Sequence, residues 1–209
     1  MDNSIFIRNL VFKYTNLDND FKLGPIALNI PKGSLTLFHG LNGSGKTTLA
    51  KIVTKHLTKG IEFDDLNIPD KSFYYNQLIE ENIFSELTVF EHLKLFSKQS
   101  VYSVSELFAL FTVFEDLKNK YPDELSGGQK QLLSFCTIIT KPFDMIVFDE
   151  IFNHLDKVTS NHVLQIVKDE LVKNRNISVI LIAHHYDFIK PFCTLSVEFK
   201  NGLISNIES

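Results

Sequence analysis

The sequence has little sulfur, no tryptophan and no surplus of charge. Of 209 residues only Cys136 and Cys193 are cysteines, and 21 Lys plus Arg face 25 Asp plus Glu, a formal net charge of -4. Two distant cysteines without C-x-x-C spacing support neither a disulfide framework nor a zinc site, so both are expected to act as small buried hydrophobes. A weak negative charge supplies no basic face, and nucleic acid is not expected as a partner. No apolar run has the length of a membrane span, and Met1-Asp2-Asn3-Ser4 has no basic segment leading into an apolar one. A reducing, cytoplasmic location is expected, with any role at a membrane exercised from its surface or through a partner. What remains is an ordinary globular composition, 44% hydrophobic and 22% charged, with 19 phenylalanines to fill the core. The length fits one domain with room for an inserted subdomain.

Along the chain, Ile5 to Tyr14 reads as a strand, followed by a polar turn from Thr15 to Asp20 and a second strand at Ile26–Ile30, ended by Pro31-Lys32-Gly33. Leu35-Thr36-Leu37-Phe38 predicts a buried strand, and a helix follows to about His56. Short strands are predicted at Ile61–Phe63 and Phe73–Gln77. From Leu87 the spacing turns helical, with Thr88 as N-cap and Glu91 three residues on, a capping box. Ser103 or Ser105 opens a second helix, and Lys130–Ile139 forms a third after Leu125–Gln129. Met145–Phe148 and Ile177–Ala183 are apolar runs of buried parallel strands, with an amphipathic helix over Val158–Lys173 between them. Leu195–Ile204 predicts a hairpin around Asn201-Gly202.

Three stretches carry chemistry. Gly40-Leu41-Asn42-Gly43-Ser44-Gly45-Lys46-Thr47-Thr48 lies between a strand and a helix, the context of a phosphate-binding loop. Glycines let successive N–H groups turn toward phosphate oxygens, the helix N-terminus adds its dipole, and Lys46 reaches the outer phosphates. Thr47 then offers its hydroxyl to Mg²⁺. Asp149, after four apolar residues, is the matching metal carboxylate at a strand end, and Glu150 beside it is placed to polarise a water. A carboxylate in that place also serves simply to cap a strand. Ser126-Gly127-Gly128-Gln129 begins a helix with a capping serine, a second anion-binding N-terminus. His39 and His154 have no ligand spacing and read as structural.

The sequence Leu125-Ser126-Gly127-Gly128-Gln129 resembles the signature of the ATP-binding cassette (ABC) family. Other elements occur in that family's order. Tyr14 resembles the aromatic that stacks on adenine, Gln77 the Q-loop, Asp149-Glu150 the Walker B pair, Asp156 the D-loop end and His184 the switch histidine. His185 competes for that last place, but the family sets its histidine directly after the apolar strand. The resemblance implies an α/β P-loop NTPase core, residues 1–79 and 140–209, with an N-terminal antiparallel β subdomain and an inserted α-helical signature subdomain at about 80–139. It implies an ATPase using ATP and Mg²⁺, with Glu150 as general base, His184 on the γ-phosphate, Lys46 on the outer phosphates, and Thr47, Gln77 and Asp149 at the metal. Gln77 would also pass nucleotide state to a partner.

The resemblance further implies pairing with a second ABC subunit, head to tail, so that each ATP lies between the phosphate loop of one chain and Ser126–Gln129 of the other. Transmembrane permease subunits are the expected further partners. Leu87-Thr88-Val89-Phe90-Glu91-His92-Leu93 resembles a stretch of exporter-type cassettes and points to export. An apolar surface between Gln77 and Phe96 would be the docking patch. The competing reading is a soluble cassette ATPase acting in assembly or as a mechanical clamp. Ile151 after Glu150, and Leu132 and Cys136-Thr137-Ile138 in the signature helix, depart from the family's usual residues. They bear on dimer packing and turnover rate, not on nucleotide binding.

Overall fold

The computed structural model describes residues 4–14, 21–76, 83–98, 100–184 and 186–209. The Thr15–Asp20 turn, Gln77 and His185 therefore lie outside the described residues. The chain packs as two bodies: one is Met1–Tyr75, Phe143–Glu150 and Val167–Ser209, and the other is Asn76–Pro142 and Ile151–Ile166.

In the first body β1 (Ile5–Lys13) pairs antiparallel with β2 (Lys22–Ile30). Ile5, Ile7, Leu10 and Phe12 point inward and are buried. The predicted start of β2 at Ile26 is too late. An extra residue of β2 opposite Leu10–Phe12 makes a bulge that carries the pairing across Gly24-Pro25, where composition alone signals a break. After β2 come β3 (Leu35–Gly40) and α1 (Lys46–Val53). β4 (Ile61–Glu62) and β5 (Asp65–Asn67) then join β1 on its other edge.

The second sheet has the order β10-β9-β3-β8-β7-β6, formed from β3 together with β6 (Ser72–Tyr75), β7 (Met145–Asp149), β8 (Ser178–Ile182), β9 (Leu195–Lys200) and β10 (Leu203–Glu208). All neighbours are parallel except the β9–β10 hairpin. Every residue of β7 and β8 is buried, which is why both read as unbroken apolar runs. One core joins both sheets and α1, with Phe12, Phe38 and Phe199 fully enclosed. Burying each such ring contributes roughly 1.5–3 kcal/mol of transfer free energy. Adjacent strands β3, β8 and β7 end at the same edge, so their carboxyl ends present the phosphate loop, His184 and Asp149-Glu150 together. Ligands of open α/β sheets bind at such an edge.

Helix α1 stops at Val53 rather than near His56. The Thr54 hydroxyl bonds back to the Ala50 carbonyl at 2.7 Å, and Lys55 takes a left-handed conformation that ends the helix. The strand predicted to reach Gln77 ends at Tyr75. Among the described residues no helix is long and apolar enough to cross a membrane.

The second body is helical: α2 (Val89–Ser97), α3 (Val104–Leu110), α4 (Gly127–Ile139) and α5 (Lys157–Ile166). Three of these helices start with a capping box, Thr88 with Glu91, Ser103 with Glu106 and Ser126 with Gln129. The last of them begins α4 at Gly127, ahead of the predicted Lys130, because Ser126 occupies the cap. Phe111 anchors the aromatic core of this body, with ring centroids 5.8 Å from Phe114 and 6.1 Å from Phe135. The helix predicted over Val158–Lys173 is α-helical to Ile166 and π-helical over Val167–Asn174. Cys136 is fully buried as expected. Cys193 is only partly covered, since it follows the surface turn Lys190–Phe192.

Candidate functional site

The loop after β3 is held by the backbone. A Cβ on Gly40 would lie 2.2 Å from the Phe199 carbonyl oxygen, and Gly45 has φ +108°, so neither position accepts an ordinary side chain. The hairpin turn Asn201-Gly202 braces the loop, because the Gly202 N–H donates to the Ser44 carbonyl at 3.0 Å. Lys46 is buried and its Nζ donates to the carbonyls of Gly40 (2.9 Å) and Leu41 (2.8 Å). Burial lowers its pKa, against the opposing pull of the Asp149 and Glu150 carboxylates.

Asn42, Gly43, Ser44, Gly45, Lys46, Thr47 and Thr48 line a cavity of about 710 Å³ together with Tyr14, Phe21, Glu150 and His184. Leu41 turns its side chain out to solvent. Tyr14 is 37% exposed; its hydroxyl lies 3.4 Å from Thr48 Oγ1 and its ring 6.4 Å from Phe21. Phe21, which no motif of the sequence marks, thus adds a second aromatic to the Tyr14 end of the cavity.

At the end of β7 the Asp149 Oδ2 accepts hydrogen bonds from Thr47 Oγ1 at 2.9 Å and from the Tyr74 phenol at 2.6 Å. Burial, reinforced by the Asp149 carboxylate, pushes the phenol pKa far up, so Tyr74 stays a donor. Glu150 has φ +58°, unusual for a residue with a Cβ, and its N–H is tied to the Ile182 carbonyl at 2.9 Å. That conformation turns its side chain toward the end of β8, where Glu150 Oε1 meets His184 Nε2 at 2.5 Å. Oxygen donors from Thr47 and Asp149, a hydroxyl and a carboxylate within hydrogen-bond reach of each other, suit a hard divalent cation such as Mg²⁺. Among the described residues no cluster of three or more His, Cys, Asp or Glu forms a separate metal site. His39 is buried, its ring centroid 4.3 Å from that of Tyr186 in a tilted contact.

In the second body Ser126, Gly128, Gln129 and Asp156 line another cavity, of about 410 Å³. The Asp156 carboxylate caps α5, accepting from the N–H groups of Thr159 and Val158, both at 2.9 Å, and from the Thr159 hydroxyl at 2.8 Å; the Thr159 bonds foremost lower its pKa. Gln129 returns its side chain to the Ser126 N–H at 2.9 Å. Gly127 lies outside that lining. The chain thus gathers the phosphate loop, Tyr14, Glu150 and His184 in one cavity, and the signature residues and Asp156 in another. No local signal in the sequence marks Tyr74, because nothing near it tells that β6 lies beside β7.

Fold and cavity define a class, the P-loop nucleotide-binding cassette. The chain superposes on the dimeric post-hydrolysis state of an ATP-binding cassette bound to ADP and Pi with a TM-score of 0.74 and 20% identity, covering 98% of each chain. It superposes on cbiO1 from Clostridium perfringens, part of the ABC transporter complex cbiONQ, with a TM-score of 0.76 and 20% identity, covering 99% of this chain and 88% of that one. The family model described as ABC transporter matches residues 23–153, and the chain belongs to that family as an ATP-binding, ATP-hydrolysing member. Curated relatives include the energy-coupling factor transporter ATP-binding protein EcfA1 of Mycoplasmopsis pulmonis, 29% identical over 88% of this chain and 74% of that protein. The lipoprotein-releasing system ATP-binding protein LolD of Buchnera aphidicola subsp. Schizaphis graminum is 27% identical over 95% and 97%.

Proposed function

We propose that the chain is the energy-coupling subunit of an ABC transporter, which pairs with a second cassette around ATP and drives substrate movement through separate membrane subunits. The observation that carries the catalytic part is the Glu150–His184 contact at the rim of the phosphate-loop cavity. In this reading Lys46 and the N–H groups of Gly43–Thr48 hold the phosphates, and Tyr14 stacks on the base. Glu150 takes a proton from the attacking water, and His184 orients Glu150 and contacts the γ-phosphate. Thr47 and Asp149, with Gln77, would hold Mg²⁺; when bound, the ion neutralises charge that builds on the phosphate oxygens. The reaction leans on positioning and charge stabilisation, which suits a site built on strand ends and a helix start.

Pairing is supported by the division of labour in the chain. The phosphate loop and the Ser126–Gln129 helix start each occur once and line cavities of different bodies, and in this reading a second subunit supplies the other half of each site. Asp156 belongs to that contributed face. Docking to a membrane partner is supported by the exposed Phe84, Phe90 and Leu95, within the stretch expected to form the patch. In this reading the chain works at the cytoplasmic face of a membrane, held there by its partners.

Export is the direction we assign, on Leu87–Leu93. Named relatives act in both directions, one in lipoprotein release and another in methionine import. Affinity purification of the tagged chain from its own cell, in mild detergent, is expected to bring down a polytopic membrane protein. Recovery with soluble partners alone would favour an assembly or clamp ATPase and contradict the transport reading.

A further inference from the structure

Asp149 is held from two sides. Thr47 approaches Oδ2 from α1, at 2.9 Å, and the Tyr74 phenol approaches the same oxygen from β6, at 2.6 Å. The second distance falls in the range of charge-assisted O–H···O⁻ bonds, the stronger class. Tyr74 is itself fixed in place. Its backbone pairs in parallel register with Val147 of β7, and its ring lies 5.5 Å from the His56 ring and 5.9 Å from Lys51 Nζ.

A carboxylate at a strand end turns about its side-chain bonds, and one partner restricts that rotation less than two converging from different elements. With its proton committed to Asp149, the Thr47 hydroxyl keeps its lone pairs for a cation. We infer that Tyr74 is a positioning residue, whose phenol sets the Asp149 carboxylate, and through it the Thr47 hydroxyl, in the orientation that receives the divalent ion. This rests on the reading of Thr47 and Asp149 as the metal-holding pair and adds to it a residue outside the lining of the phosphate-loop cavity. Two effects of the phenol oppose each other. It draws charge from Asp149, which weakens attraction for a cation, and it preorganises the donor pair, which strengthens it. Loss of such outer partners typically costs about 10- to 100-fold in metal affinity, so orientation dominates.

The test is Tyr74→Phe, which removes one oxygen and keeps the ring. Binding of a fluorescent ATP analogue to the full chain is followed first in EDTA and then across a Mg²⁺ titration, with turnover measured alongside. In the variant, half-saturation by Mg²⁺ is expected to rise about tenfold, metal-free affinity to stay within about twofold, and kcat to recover at saturating Mg²⁺. An unchanged Mg²⁺ dependence overturns the role of Tyr74. So does an equal loss of metal-free binding, which would make the ring a prop for the loop. If analogue binding by the unaltered chain ignores Mg²⁺, the reading of Thr47 and Asp149 fails, and the inference with it.

Discussion

At the residue scale, the two glycines that open α4 are in opposite situations. A Cβ on Gly128 would lie 3.0 Å from the His154 carbonyl oxygen, whereas a Cβ on Gly127 would meet nothing within 4 Å. A side chain at Gly128 would press the His154 carbonyl aside by a few tenths of an ångström, and one at Gly127 would displace nothing. If the Gly127 face meets the nucleotide of a paired subunit, Gly127→Ala should leave folding intact and damage turnover. The expected result is a stability equal to or up to about 1 kcal/mol above the parent, since alanine suits a helix better than glycine. The ATPase rate should fall by about tenfold or more, the scale on which a small misplacement at a reacting centre acts. Thermal melting and steady-state phosphate release check the two halves. A normal rate would remove Gly127 from the composite site. The residues that spacing reveals are those whose chemistry is local: Lys46 and Thr47 follow the glycines in a fixed pattern, and Ser126 precedes its helix. Tyr74 is not among them. Its partner Asp149 is 75 positions away, and only the β6–β7 register joins them.

At the element scale, α2 is held by a histidine with one proton to spend. His92 is fully buried, its Nδ1 lies 2.9 Å from the Thr88 carbonyl, and its Nε2 accepts from the Phe84 N–H at 2.9 Å. The carbonyl requires the proton on Nδ1, so Nε2 is left bare to accept. A second proton on Nε2 would face the Phe84 donor. Burial lowers the His92 pKa below the ordinary 6.5, although Thr88 and Glu91 pull the other way, and His39 is lowered by burial too. The unfolded chain therefore binds more protons in this window. The stability is whole above the unfolded pKa and is lost as pH falls from there toward the folded values. The melting temperature is expected to drop between about pH 7.5 and about pH 5.5, and His92→Gln, which keeps an acceptor for Phe84, should shrink the drop. An identical drop in the variant would contradict the assignment. The start of α2 was legible, since its capping box of Thr88 and Glu91 is written within a few residues. The start of β2 and the end of α1 were not, because a bulge opposite Leu10–Phe12 and the Thr54 hydroxyl decided them.

At the scale of the whole molecule, the buried runs of β3, β7 and β8 announced a parallel sheet, but their order did not follow from composition. It is the adjacency β3-β8-β7 that turns three separate motifs into one edge, with Lys46, His184 and Asp149-Glu150 around it. The signature helix belongs to the other body, on its own cavity. In the proposed pairing, one chain holds the parts of two half-sites and a second copy or homologue completes each. Size-exclusion chromatography of Glu150→Gln with and without ATP and Mg²⁺ tests it most directly. Removing the proposed base should stop hydrolysis and hold the closed state, so the variant is expected to elute as a dimer with ATP and as a monomer without it. A monomer at both conditions with ATP demonstrably bound, or hydrolysis at the parent rate, would contradict the account.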